Sequence, residues 1–229
     1  MNNKIKKILK KKNKSKIVCL TEYSKNIAEI VDDHADIVLV GDSLGSVLYN
    51  YDTTRKVSLN MMIEHTKSVR MGVKKSLLVI DLPYNTYRNK SEALKNSKKA
   101  VKATKCDAVK VEGGTRVKEI AKHLVKNKIP VLGHIGITPQ TTKGKFRSRG
   151  KNETEKKKLI KDAQDLDQSG AFGIVLECIY SKISKQITNS INIPTIGIGA
   201  SVNCDGQVLV TDDLIGLNET KFRLSLIHI

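Results

Sequence analysis

Short apolar runs of four to six residues recur along this chain, and most are separated by stretches whose apolar residues fall at helical spacing. Lys16-Ile-Val-Cys-Leu-Thr21, Asp36-Ile-Val-Leu-Val40, Ser76-Leu-Leu-Val-Ile-Asp81 and Asp107-Ala-Val-Lys-Val-Glu112 read as the first four strands. Ile129-Pro-Val-Leu-Gly-His134, Phe172-Gly-Ile-Val-Leu-Glu177, Ile193-Pro-Thr-Ile-Gly197 and Gln207-Val-Leu-Val210 read as four more. Helices are expected between them. Ser24 can cap one whose apolar face carries Ile27, Ala28, Ile30 and Val31, and Ser58 can cap another that runs to Gly72. Further helices are expected from Ser91 to about Lys105, from Thr115 to about Asn127, after Asn152 to about Ser169, and near Ser184 to Ser190. Eight strands alternating with helices, in one composition regime, predict an α/β fold with a parallel sheet. The count favours a closed (β/α)8 TIM barrel over an open doubly wound sheet. Residues 16–222 are expected to form this single domain. Residues 1–15 are expected to be a lysine-rich N-terminal segment with a short helix through Ile5 and Leu9, and 223–229 a separate tail.

Period-2 alternation in the fourth run puts Val109 and Val111 on one face and Lys110 with Glu112 on the other. A buried ammonium and carboxylate are costly unless paired or metal-bound, so this strand end is a candidate site. Asp42, Asp81, Glu112, His134 and Glu177 each stand at or just past the C-terminal end of a different strand. In a barrel those ends form one ring, where active sites sit. Asp42, Asp81 and Glu112 would repel one another unless a cation intervened, and oxygen-only donors without a His/Cys cluster suggest Mg²⁺. Any one of them could instead cap a helix or pair with a surface lysine. His134 fits a substrate contact or a satisfied core histidine. Glu177 fits a general base whose pKa is raised by apolar neighbours, and Lys110 a cation that meets a developing oxyanion. An ion pair between neighbouring strands is the competing reading for both. Ser43, in a Gly-flanked turn, could offer donors to a carboxylate.

The formal net charge is +18, which by itself would allow an acidic partner such as nucleic acid. The lysines are spread along the chain, however, with one dense cluster from Lys4 to Lys16, and 4% aromatic residues with no Trp supply no stacking platform. A solvated surface is therefore the expectation, and nucleic acid is not an expected partner. No apolar run nears the roughly 20 residues that a membrane helix needs. The basic N-terminus lacks the apolar core and cleavage site of a secretory signal. Cys19, Cys106, Cys178 and Cys204 show no metal-binding spacing and fit reduced thiols in a cytosol. Gly197-Ile-Gly199 lacks the acidic partner of a dinucleotide loop, and Gly41-Asp-Ser-Leu-Gly45 has hydrolase-elbow spacing without the downstream Asp-then-His order.

Six motifs in order complete the picture: Val40-Gly-Asp-Ser-Leu-Gly45, Asp81-Leu-Pro83, Val109-Lys-Val-Glu-Gly-Gly114, Gly133-His-Ile-Gly-Ile-Thr-Pro-Gln140, Leu176-Glu-Cys178, and Ile196-Gly-Ile-Gly-Ala200 with Asp205-Gly-Gln207. Together, from about Lys16 to Phe222, they resemble the ketopantoate hydroxymethyltransferase family. The resemblance implies a Mg²⁺-dependent barrel of the phosphoenolpyruvate/isocitrate lyase group. It implies transfer of a one-carbon unit from 5,10-methylenetetrahydrofolate to 3-methyl-2-oxobutanoate, giving 2-dehydropantoate, by a cytoplasmic homo-oligomer, commonly a decamer. Asp42, Asp81 and Glu112 match the family's metal positions. Asp42, Ser43, Asp81, Lys110 and His134 match its substrate pocket, and Glu177 its proton acceptor. Thr21-Glu-Tyr-Ser24 departs from the family's Thr-Ala-Tyr-Asp, and Lys143 to Lys151 keeps part of its glycine-rich lid. Family members continue beyond Phe222, whereas Arg223 to Ile229 resembles nothing there, so the last barrel helix is expected to be truncated or replaced. Competing readings are a Mg²⁺-dependent lyase or mutase of another 2-oxo acid, a basic nucleic-acid binder on an inactive barrel, and an inactive truncated homologue.

Overall fold

The computed structural model describes residues 2–142 and 147–217. Its strands are β1 (Ile17–Thr21), β2 (Ile37–Val40), β3 (Leu77–Asp81), β4 (Ala108–Glu112), β5 (Val131–Gly136), β6 (Gly173–Glu177), β7 (Thr195–Ile198) and β8 (Gly206–Leu209). Each pairs in parallel with its sequence neighbours, and β8 pairs with β1 to close the barrel. The alternation read on β4 holds. Ala108 packs among the interior residues of the barrel, while Val109 and Val111 join the apolar layer under the helices. Register then decides which polar residues meet. Asp81 lies opposite Lys110, Glu112 opposite His134, and Gly136 opposite Glu177. Opposed residues of parallel strands share a face, so the register itself delivers charge pairs to the mouth.

The outer layer comprises α2 (Lys25–Val31), α4 (Leu59–Gly72), α5 (Lys90–Thr104), α6 (Lys118–Lys126), α7 (Glu153–Gln168) and α8 (Ser181–Ser190); the short α3 (Leu44–Val47) and α9 (Thr211–Leu214) follow β2 and β8. Ser58 and Asn152 cap α4 and α7 as expected. Asn89, not Ser91, caps α5, since its side chain accepts from the Glu92 amide. Thr115 lies in a 3-10 turn (Gly114–Val117) and does not open the helix itself; its hydroxyl donates to Asp165, and α6 starts after Val117, which has no side-chain oxygen to cap it. Ser24 stands at the start of α2 without a side-chain cap bond, and Ile30 is 64% exposed, off the apolar face that Ala28 and Val31 form. No helix joins β7 to β8 among the described residues; a turn from Gly199 to Asp205 makes that connection.

The lysine-rich start does more than cover surface. In α1 (Asn3–Lys10), Ile5 and Ile8 are buried against the interior residues Ile17, Ile37 and Leu77 and seal the bottom of the barrel. Lys4 donates to the Ser76 carbonyl, Lys11 and Lys12 pair with Asp36 and Asp205, and Lys16 donates to the Val202 and Cys204 carbonyls. Lys4 in the helix, and Lys11, Lys12 and Lys16 in the segment that follows it, tie this N-terminal stretch to the strand bottoms, away from the mouth. The expected loss of the last barrel helix, with the tail 223–229, lies outside the described residues. Among the described residues no helix is long and apolar enough to cross a membrane.

Candidate active site

At the C-terminal ends of the strands a cavity of about 570 Å³ is lined by Asp42, Ser43, Asp81, Lys110, Glu112, His134 and Glu177 together with Thr21 and Arg55. All seven residues singled out from the sequence therefore meet in one place. The glycines matter here at two points. Gly136 has φ 102°, and a Cβ there would fall 2.1 Å from the Glu177 carbonyl oxygen, so only glycine lets the ends of β5 and β6 come this close. Cys178 holds φ 50°, a conformation costly for a residue with a Cβ, directly after Glu177.

Lys110 Nζ donates to Asp81 Oδ1 at 2.6 Å and stands 4.0 Å from Glu112 Oε1. Asp81 Oδ2 accepts the Asp42 backbone amide at 3.1 Å. His134 is enclosed, with Nδ1 3.3 Å from Glu112 Oε1 and Nε2 3.2 Å from Glu177 Oε2. Neither approach follows the N–H direction, so both ring nitrogens are held by charge without a linear hydrogen bond. The interstrand ion pairs considered for Lys110 and Glu177 are thus present, and they form inside the ring. Glu177 faces a charged ring rather than the apolar wall expected for it. Its side chain, 14% exposed, is the most open of the four carboxylates to the cavity for which exposure separates them.

Electrostatics follow from this enclosure. Burial works against the Lys110 ammonium, but Asp81, Glu112 and Asp42 outweigh it and raise its pKa. Burial likewise disfavours a charged His134, yet Glu112 prevails over it and over the opposing Lys110, and the imidazolium is held up to about 9. Glu112 is lowered: burial opposes its charge, and the His134 and Lys110 cations overcome that. Asp42 is the exception. Burial first, then the Asp81 and Glu112 charges, push its carboxyl well above the usual range. Among the described residues no cationic side chain stands within ion-pair distance of it.

That imbalance is the structural test for a metal. With all of Asp42, Asp81, Glu112 and Glu177 ionised, four negative charges would face one positive charge on Lys110 and one on a protonated His134, and the raised Asp42 carboxyl is the consequence of that deficit. A dication would balance the site. Among the described residues no three His, Cys, Asp or Glu side chains close around one point by themselves. Mg²⁺ commonly takes one or two carboxylates and completes its octahedron with water and substrate oxygens, so this donor set fits it.

Gln140 and Tyr23 stand in stretches already quoted but carry no expected role of their own, and Tyr87 stands in none of them. Gln140 Nε2 donates to Asp42 Oδ2 at 2.9 Å, and the Tyr87 hydroxyl donates to Gln140 Oε1 at 2.5 Å. Tyr23 and Ser43 share a hydrogen bond of 2.8 Å between hydroxyls, and among the described residues no histidine hydrogen-bonds to Ser43 as a hydrolase base would. Their one signal in the sequence is a polar residue a few positions past a strand end.

The family model for ketopantoate hydroxymethyltransferase matches residues 2–226. The 3-methyl-2-oxobutanoate hydroxymethyltransferase of Pelagibacter ubique is 61% identical over 223 residues, 97% of this chain and 86% of that relative. The enzyme of the same name from Rhizobium etli is 48% identical over 211 residues, 90% of this chain and 77% of its own. Among solved structures, phosphonopyruvate hydrolase in complex with oxalate and Mg²⁺ superposes with a TM-score of 0.69 at 8% identity, covering 94% of this chain and 83% of that one. A 2,3-dimethylmalate lyase, a member of the PEP mutase/isocitrate lyase superfamily, gives 0.67 at 11% identity, covering 95% and 81%. These two show a shared barrel.

Proposed function

Because the chain belongs to the ketopantoate hydroxymethyltransferase family, we propose that it transfers a hydroxymethyl unit from 5,10-methylenetetrahydrofolate to 3-methyl-2-oxobutanoate. The product is 2-dehydropantoate, for pantothenate and coenzyme A synthesis. The observation that carries this reading is the pairing of a cation-deficient carboxylate cluster, Asp42 with Asp81 and Glu112, with a separate, more open carboxylate at Glu177. The first suits a metal-bound keto acid; the second suits a base. Mg²⁺ held by Asp42 and Asp81, with Glu112 beside them, would polarise the keto acid and acidify the C–H next to its carbonyl.

This chain's own residues do the rest. Glu177 takes the proton from C3 of the keto acid. His134, charged and 3.2 Å away, holds that carboxylate in place. Lys110 meets the negative charge that develops on the keto oxygen, in a site where burial strengthens the attraction. The Ser43 hydroxyl, which shares a hydrogen bond with Tyr23, donates to the substrate carboxylate. The carbanionic C3 then forms a bond to the folate methylene carbon and both methylene C–N bonds break; water supplies the new hydroxyl, and the two folate nitrogens take up the proton held by Glu177 and the second proton of that water, leaving as tetrahydrofolate. Cytoplasmic residence and homo-oligomeric assembly, a decamer in the family resemblance, belong to the same proposal. Four cysteines, all free and buried, support a reducing compartment.

The test is turnover of 3-methyl-2-oxobutanoate with and without methylenetetrahydrofolate, Mg²⁺ and chelator. Chelator-sensitive, folate-dependent 2-dehydropantoate is the expected result. Cleavage of a 2-oxo acid without folate would replace the reading with a lyase, and folate-dependent turnover indifferent to chelator would remove the metal from it.

A further inference from the structure

Gln140 lies in the loop between β5 and α7, outside the strand-end ring, and is 1% exposed. Every polar group it carries is engaged. Nε2 donates to Asp42 Oδ2 at 2.9 Å and to the Leu82 carbonyl at 3.0 Å. Oε1 accepts from the Tyr87 hydroxyl at 2.5 Å. Its backbone N–H donates to Glu112 Oε2 at 3.2 Å, and its carbonyl accepts from Arg55 Nε at 2.9 Å. The sense of the amide is fixed by chemistry, because the Leu82 carbonyl can only accept and therefore faces the nitrogen. Tyr87 seals that choice from the other side, and its oxygen in turn accepts the Glu112 backbone N–H at 3.3 Å.

One residue thus grips one oxygen of each of two carboxylates that come from different strands. Asp42 keeps Oδ1 for a ligand, and Glu112 keeps Oε1 on the side of Lys110 and His134. A carboxylate with one oxygen pinned loses its freedom to rotate away from a bound ion, and a lost outer contact of this kind typically weakens metal binding by roughly 10–100-fold. Resting on the metal reading above, we propose that Gln140 is a positioning residue: with Tyr87 it fixes Asp42 and Glu112 for the divalent cation.

The experiment titrates Mn²⁺ into the wild type, Gln140→Leu and Tyr87→Phe by electron paramagnetic resonance, with no keto acid or folate present, and records melting temperatures alongside. Gln140→Leu is expected to raise the Mn²⁺ dissociation constant at least tenfold, and Tyr87→Phe, which removes the donor to Oε1 and the acceptor of the Glu112 N–H, a few-fold. A purely structural role would lower the melting temperature and leave the dissociation constant alone. Folded Gln140→Leu within twofold of wild type overturns the proposal; if that variant does not fold, wild-type affinity in Tyr87→Phe overturns it. Wild-type protein that binds no Mn²⁺ overturns both this proposal and the metal site. Wild-type protein that binds Mn²⁺ yet fails to use folate overturns only the proposed reaction.

Discussion

Asp205 belongs to the same motif as Gln207, yet it sits at the bottom of the barrel, at the end opposite the cavity. Its Oδ2 accepts from Lys12 Nζ at 2.9 Å, from the Thr195 amide at 2.9 Å and from the Thr195 hydroxyl at 3.2 Å; its Oδ1 accepts the Asn13 amide at 2.9 Å. The perturbation of choice is Asp205→Asn, which keeps shape and volume. An asparagine cannot serve this site in either sense. With its oxygen towards Thr195, its NH₂ meets the Asn13 N–H, donor against donor; turned over, it confronts two obligate donors at once, the Lys12 ammonium and the Thr195 N–H. The Lys12 charge also loses its partner in a pair whose side chains are only 11% and 3% exposed.

Breaking a pair this enclosed costs about 3–5 kcal/mol. For a chain of this size that corresponds to a melting temperature lower by roughly 10 °C. The pH dependence has a definite sign. Burial opposes the Asp205 charge, but the Thr195 and Asn13 amides and Lys12 overcome it and hold the folded carboxyl below its ordinary value. A depressed folded pKa contributes stability above the unfolded pKa, near 4, and that contribution fades as pH falls through the folded value. The gap between wild type and variant should therefore be full at pH 7 and shrink towards pH 3. Calorimetric melting across that range measures it, with turnover per folded molecule at pH 7 as the second readout. Wild-type melting at pH 7 would refute the energetic argument. Normal folding with lost turnover would refute the placement of Asp205 in the stability of the barrel rather than in its chemistry.

Glu22, 2% exposed and with Oε1 unpartnered, has its pKa raised to about 7 by burial, so folding favours its protonated form and stability falls as pH rises from about 4.5 through 7. Glu22→Gln should match the wild type near pH 4 and melt higher at pH 8.5, where the wild type has lost about 3 kcal/mol at most; equal melting at both pH values would remove Glu22 from the balance. Glu177→Gln keeps the shape of the proposed base without its proton affinity. It should lower kcat by roughly 10²–10⁴ with little change in Mn²⁺ affinity, and full activity would exclude Glu177 as the base.

Much of the fold was legible because barrel strands are buried on both faces and announce themselves as apolar runs. Lys110 and Glu112 stood out for the same reason, since charges in such a run need an explanation. Helix starts were less legible. Ser91 and Thr115 are good cap residues by type, but Asn89 sits one turn-position better for Glu92, and the Thr115 hydroxyl is drawn to Asp165 across the layer. Tertiary partners settle those contests, and they are not written in local sequence.

The site shows the same division more sharply. That five polar residues end five strands was readable; which of them pair was not, because pairing depends on register. Asp81 meets Lys110, and Glu112 meets His134, only because β3, β4 and β5 are staggered as they are. A stagger of one residue would turn each partner to the opposite face of its strand. Motif membership is equally silent about role. Gln140 and Asp205 stand in ordered motifs beside the candidate base and metal ligands, yet one supports the carboxylates from outside the ring and the other anchors the far end of the barrel. What separates chemistry from scaffold here is the end of the strand at which a residue falls. Position along the barrel axis, more than residue type, is therefore the property to establish before a motif residue is given a catalytic role.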